Sequence, residues 1–177
     1  MKKFICILCS LAIGIFGLTG CNQSGNNPFT SENAIKGQVG ELYYVVPENA
    51  VSDGSISEEL AMYNVPIENS AEEYQLSILY DRIDDVNEYE STLKNIDNMI
   101  KQNDMEDGIE VSTEEIDNFL GKAIDRGCKR EGKYNGKKTV LIVAAESNNM
   151  YMVGYTVKTG FFDQSVWDNF YEQLRLV

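Results

Sequence analysis

The alternation of apolar and polar residues predicts four β-strands after residue 40. Residues 41–46 form a short apolar run that Pro47 ends, and residues 74–80 place an apolar side chain at every second position. Residues 138–145 form a continuous apolar run of strand length, and a second such run follows a polar turn at residues 150–157. The last two segments therefore predict a β-hairpin.

Apolar residues at intervals of three and four predict three to four helices. The clearest helix follows Asp85, a capping residue, over residues 86–100. A second is predicted over 112–124, where Ser112 and Glu115 have capping-box spacing, and a third over 166–174. A short helix is also expected over 55–63. The chain thus predicts an α+β fold, with about four strands in a mostly antiparallel or mixed sheet and three to four helices packed on it.

The first 21 residues carry a targeting signal. Lys2 and Lys3 precede an apolar stretch at residues 4–18, a pattern typical of a cleavable signal peptide. The sequence LTGC at residues 18–21 then resembles the lipobox of bacterial lipoproteins. The resemblance implies cleavage before Cys21 and attachment of a diacylglyceryl group to its thiol. The alternative is an ordinary signal peptide followed by a coincidental cysteine.

The lipobox resemblance predicts both the organisation and the location of the protein. Residues 1–20 are the signal peptide, residues 21–40 a lipidated cysteine with a flexible Asn-, Ser- and Gly-rich tether, and residues 41–177 a single α+β domain. Two acyl chains suffice for stable membrane anchoring. We therefore expect a protein held at the cell membrane through Cys21 and facing the extracytoplasmic side.

Composition narrows the possible chemistry. The chain has no histidine, which removes Ser-His-Asp and Cys-His catalysis and His-ligated zinc. Cys128 is the one cysteine outside the first 21 residues, so an internal disulfide or a thiolate metal site is not expected. A net charge of −13 disfavours nucleic acid, whose binding requires clustered cations. We predict no metal and no cofactor.

A basic segment interrupts this acidic chain. Residues 122–138 contain seven cations and only two acids, Asp125 and Glu131. The candidate binding residues are Lys129, Arg130, Lys133, Lys137 and Lys138. They could meet an envelope protein or an anionic envelope component. The alternative is structural, namely cations at a helix end followed by a Gly-rich turn.

A cluster of acids raises the possibility of catalysis. Its members are Asp81, Asp84, Asp85, Glu88 and Glu90, between a predicted strand and a predicted helix. A pair of carboxylates can hydrolyse glycosides, although a solvated acidic face with helix-start residues explains the same pattern. The sequence therefore favours a binding or accessory lipoprotein with no evident catalytic site. The alternatives are a carboxylate-dependent envelope hydrolase and an immunity or inhibitor lipoprotein.

Overall fold

A computed structural model of the chain describes residues 27–54, 56–102, 111–134 and 136–177. The predicted signal peptide and the lipobox with Cys21 lie outside the described residues. Two helices are present in the described part of the chain, α1 (Val86–Gln102) and α2 (Gln164–Glu172). A 3-10 turn, Thr159–Phe161, precedes α2.

Strands dominate the structure. They are β1 (Ile35–Val39), β2 (Leu42–Val46), β3 (Val51–Ser52), β4 (Leu60–Pro66), β5 (Glu73–Arg82), β6 (Val111–Glu115), β7 (Asn118–Phe119), β8 (Lys122–Ala123), β9 (Arg126–Tyr134), β10 (Lys137–Glu146), β11 (Asn149–Lys158) and β12 (Arg175–Leu176). Seven of them form an antiparallel sheet in the order β3-β4-β5-β11-β10-β9-β6. A smaller sheet has the order β1-β2-β12, and β7 pairs with β8.

The predicted fold class is wrong. The described residues form twelve strands and only two helices, so this part of the chain is mostly β rather than three to four helices on four strands. The segment predicted as a helix over 112–124 instead contains β6, β7 and β8, and most of the helix predicted over 55–63 gives way to β4 and the turn before it. In both places pairing with neighbouring strands overrides the local helical spacing.

Most of the strongly patterned elements are nevertheless confirmed. The strands predicted from their apolar residues correspond to β2, β5, β10 and β11, and the hairpin joins β10 to β11. The helix after Asp85 is α1, and the helix predicted over 166–174 overlaps α2.

The seven-stranded sheet is buried on two faces by different elements. Since side chains alternate along a strand, Tyr151, Val153 and Tyr155 of β11 point to one face, which we call the front. There they join a core with the small sheet and with Trp167 and Phe170 of α2.

The opposite face, which we call the back, has a core of its own. Met150 and Met152 of β11 pack there with Tyr89 and Ile96 of α1. The sheet is therefore the central layer of the protein, with α1 on its back and α2 and the small sheet on its front.

The folded domain begins before residue 41. Phe29 is 1% exposed and its ring lies 6.1 Å from that of Phe170, while β1 starts at Ile35. Asn27 Nδ2 donates a hydrogen bond of 2.8 Å to Asn169 Oδ1 on α2. Residues 27–40, predicted as tether, thus belong to the domain, because Phe29 and Ala34 contribute apolar surface that the core buries.

Candidate functional site

A row of uncharged polar side chains crosses the back of the seven-stranded sheet. Four neighbouring strands contribute one residue each, because Asn64 pairs with Gln75, Gln75 with Thr156, and Thr156 with Thr139. Three strand spacings separate the two ends of this row, which makes it about 14 Å long. Together with Ser77 on the next row we call these residues the polar shelf.

Hydrogen bonds hold the shelf side chains in place. Gln75 Nε2 donates to Asn64 Oδ1 at 3.3 Å, and the hydroxyls of Thr139 and Thr156 lie 3.1 Å apart. All four side chains are half-buried. An amide or hydroxyl that makes one such bond keeps further donors or acceptors, so the shelf can bind a ligand through several groups at once.

Glycine keeps the floor of the shelf low beside Ser77. A Cβ atom on Gly154, the residue paired with Ser77, would lie 2.6 Å from Ser77 Oγ. Because Gly154 has no side chain, the Ser77 hydroxyl and the Leu141 side chain pack over the backbone of the central strand β11, and Gly154 is buried beneath them. Ser77 and Leu141 therefore close the sheet surface between β5 and β10 at this point, and the row of Asn64, Gln75, Thr156 and Thr139 forms the rest of the shelf beside them.

Charged residues border the shelf on its outer side. Lys137 pairs with Lys158, one row beyond Thr139 and Thr156, and Lys158 Nζ lies 2.6 Å from Glu72 Oε1. Burial raises the pKa of the nearby Glu73, and the charge of Lys137 partly offsets this effect. The border thus carries both signs of charge, whereas the centre carries none.

The five predicted cations all lie on the β9–β10 hairpin, but they divide between its two faces. Arg130 pairs with Leu141 on the back of the sheet. Lys137 lies two residues before Thr139 in β10, so its side chain is on the same face, and both cations lie near the polar shelf. The other three, Lys129, Lys133 and Lys138, point to the front. The alternation along each strand therefore separates residues that are close in sequence.

On the front, Glu131 ties two of these cations into the structure. Lys129 Nζ lies 2.8 Å from Glu131 Oε1, and Lys138 Nζ lies 3.7 Å from Glu131 Oε2. Lys138 Nζ also stands 3.5 Å from the ring centroid of Phe162. The hydrogen bond and charge of Lys129, with a contribution from Lys138, lower the pKa of Glu131.

The predicted acidic cluster surrounds the start of α1. Asp85 Oδ1 accepts a 2.6 Å hydrogen bond from the Asn87 backbone N–H, which lowers the Asp85 pKa, and Glu90 forms an ion pair with Arg126. Asp81 differs, because burial raises its pKa and the charges of Glu59 and Glu88 add to the effect. Two of the five acids are thus committed to a helix start and an ion pair.

Neither a metal centre nor a membrane-spanning helix is found in the described residues. No group of three or more metal-ligating side chains occurs within these ranges. None of the helices in the same ranges is long and apolar enough to cross a bilayer.

Cys128 forms no disulfide and lies in the back core, where the residue is 4% exposed.

The polar shelf is not among the sites predicted from the sequence. A signal was present in β5, where Gln75 and Ser77 alternate with buried apolar residues, and in Thr139 and Thr156 at the ends of two apolar runs. These residues become neighbours only through the register of β4, β5, β11 and β10. Strand order, which the sequence left open, decides the site.

Comparisons with known proteins show a similarity of fold to solved structures. No protein-family profile matches the chain, and no curated protein matches its sequence. The solution structure of cyanobacterial PsbP (CyanoP) from Synechocystis sp. PCC 6803 matches with a TM-score of 0.56 and 11% identity, over 90% of this chain and 99% of that one. A protein of unknown function from Pseudomonas aeruginosa matches with a TM-score of 0.48 and 13% identity, over 77% and 92% of the two chains. At 11% identity the likeness to CyanoP concerns the fold alone.

Proposed function

We propose that this protein is a lipid-anchored, extracytoplasmic binding protein that holds an envelope glycan on its polar shelf. The observation that carries the proposal is the row of Asn64, Gln75, Thr156 and Thr139, an uncharged hydrogen-bonding surface in a chain of which 24% is charged. The lipobox at residues 18–21 supports the anchor and the location.

The chemistry of the shelf favours a ligand rich in hydroxyl and amide groups. Such groups pair with Thr hydroxyls and with Asn or Gln amides, each of which donates and accepts. The side chains are already fixed by mutual bonds of 3.3 and 3.1 Å, so little ordering remains to be done on binding. A sugar chain lying along the row would meet all four strands.

The border of the shelf suits a glycan that carries scattered carboxylates. Arg130 and Lys137 lie on the shelf side of the β9–β10 hairpin, within reach of occasional acidic groups. A polymer with a negative charge on every unit would instead be repelled by a protein of net charge −13. Two of the five predicted cations, Arg130 and Lys137, thus lie at the border of the shelf and not at its centre.

A binding role accounts for the shelf better than catalysis does. Ser77, Thr139 and Thr156 would each need a general base within hydrogen-bond reach to act as nucleophiles, whereas the Thr139 and Thr156 hydroxyls are hydrogen-bonded to each other. A protein partner is also less well matched, since short polar side chains replace the aromatic anchors that dominate protein interfaces.

The proposal is tested by co-sedimentation of the mature lipoprotein, kept in detergent, with purified peptidoglycan sacculi. The double variant Thr139→Val/Thr156→Val keeps the side-chain shape and removes both hydroxyls. Each lost hydrogen bond costs about 1 kcal/mol, so we expect about 30-fold weaker binding. Ser112→Ala removes an exposed hydroxyl on the front of the edge strand β6, where Ser112 pairs with Glu131, and should bind like the parent protein.

Two outcomes would overturn the glycan assignment. One is a parent protein that stays in the supernatant at every sacculus concentration. The other is a double variant that sediments as well as the Ser112→Ala control while retaining its thermal stability. Specific capture of a protein in place of glycan would point to the accessory or inhibitor alternative.

A further inference from the structure

The chain enters the folded domain on the front of the sheet. Asn27 is hydrogen-bonded to Asn169 on α2, and Phe29 is buried against Phe170 of the same helix. These contacts fix the point at which the segment from Cys21 reaches the domain. That point lies on α2 and not at the end of a long tether.

Helix α2 lies over the central strand of the sheet. The Tyr155 hydroxyl accepts a hydrogen bond from the Asp163 backbone N–H at the start of α2. Near its end, Tyr171 contacts the ring of Phe119, which in turn stacks on Tyr151. Both tyrosines of β11 face the front, so α2 covers the middle of this face.

The polar shelf lies on the back of the same strands. Thr156 follows Tyr155 directly in β11, and its side chain points to the opposite face. Val51 of the edge strand β3 pairs with Asn64 and continues the shelf row, with 62% of its surface exposed. The seven-stranded sheet therefore lies between the shelf and the α2 residues that Asn27 and Phe29 contact.

The covalent distance from Cys21 to Asn27 is short compared with the domain. Six residue steps span at most about 20 Å. A domain of about 150 residues has a radius of gyration of about 15 Å and is therefore wider than this span. A lipid on Cys21 cannot bring the back of the sheet to the bilayer without leading the segment around the domain.

We infer that the anchored domain turns α2 toward the bilayer and the polar shelf away from it. This inference rests on the proposed lipid anchor. The glycan then approaches from the side distant from the membrane, and lipid headgroups do not compete for the shelf. The exposed side of α2 carries Gln164, Asp168 and Glu172, so the orientation rests on the short anchor segment and not on attraction between α2 and anionic headgroups.

The orientation is measured by fluorescence quenching of the full lipoprotein in liposomes that contain a headgroup-linked nitroxide lipid. Asp168→Cys places a small fluorophore on α2, and Val51→Cys places it at the shelf end. Both residues are exposed, whereas Cys128 is buried and Cys21 carries the lipid. We expect severalfold stronger quenching at position 168 than at position 51.

A Gly/Ser insertion of about twelve residues after Ser24 is the matched control. It adds about 40 Å of contour length and should remove the difference between the two positions. Equal or reversed quenching in the anchored parent protein would overturn the orientation. A parent protein that floats with the liposomes no more than Cys21→Ala would instead overturn the anchor itself, so the two failures are distinguishable.

Discussion

Among single residues, the basic side chains of the β9–β10 hairpin lie on two opposite faces of the sheet. The sequence identified the basic residues of the β9–β10 hairpin, yet Lys129 and Lys138 contact Glu131, and only Arg130 and Lys137 lie beside the shelf. Charge is visible in a sequence, whereas the face on which a side chain lies depends on register. The same limit explains why four ordinary polar residues did not stand out as a site.

Gly37 illustrates a residue whose role depends entirely on its neighbour. A Cβ atom there would lie 2.3 Å from the ring of Tyr44, which is buried and shares a 3.2 Å hydroxyl contact with Tyr63. We expect Gly37→Ala to lower the free energy of unfolding by about 1–3 kcal/mol, because a buried ring must move. Denaturant midpoints measure the change.

Gly160→Ala is the control for this prediction. Nothing lies within 4 Å of the position of its Cβ, so its free energy of unfolding should stay within about 0.5 kcal/mol of the parent value. Equal midpoints for the two alanine variants would contradict the packing argument at Gly37.

Among helices and strands, those with a continuous or periodic apolar pattern could be predicted from the sequence, and those with mixed charged and polar residues could not. Strands β10 and β11 are buried runs, and α1 has both its cap at Asp85 and an apolar stripe. Strand β9 reads as a charged segment, because Lys129, Glu131 and Lys133 occupy alternate positions. Strand β6 carries a capping-box pattern, yet it pairs with β9, and no local signal reveals that partner.

Strand β6 also forms an edge of the seven-stranded sheet, with Glu114 and Glu115 exposed on it. Charged edge residues discourage pairing with a second sheet. We expect Glu114→Val/Glu115→Val to promote self-association, measured by light scattering across a concentration series.

The control pair is Glu48→Val/Glu68→Val, which removes equal charge at two exposed positions outside the strands. These variants should remain as dispersed as the parent protein. If both pairs associate equally, loss of charge and not the free edge is responsible.

At the scale of the whole molecule, tyrosines form much of the core. Burial raises the pKa values of Tyr44, Tyr74, Tyr89 and Tyr151, and the hydrogen bond between Tyr44 and Tyr63 adds to the effect at Tyr44. An unfolded tyrosine ionises near pH 10. Since the folded pKa values are higher, the stabilisation is complete below pH 10 and is lost as the pH rises above it.

We therefore expect cooperative unfolding in alkali, with tyrosinate absorbance and loss of circular dichroism changing together above about pH 10. Tyr74→Phe removes one such group and should move the midpoint to higher pH. Ionisation of all tyrosines near pH 10 with unchanged circular dichroism would contradict the expectation.

The order of strands in the large sheet has a consequence for how the protein folds. Strands β3, β4 and β5 come from residues 51–82, and β6, β9, β10 and β11 come from residues 111–158. The strands of each group can therefore pair with one another before the two groups meet. The two groups join along one seam, β5 against β11, where Ile78 pairs with Val153 and Leu76 with Tyr155. This seam requires the longest loop closure in the large sheet, so we expect its formation to be the slow step in assembling that sheet. We expect substitutions along the seam to slow folding and substitutions within either group mainly to speed unfolding.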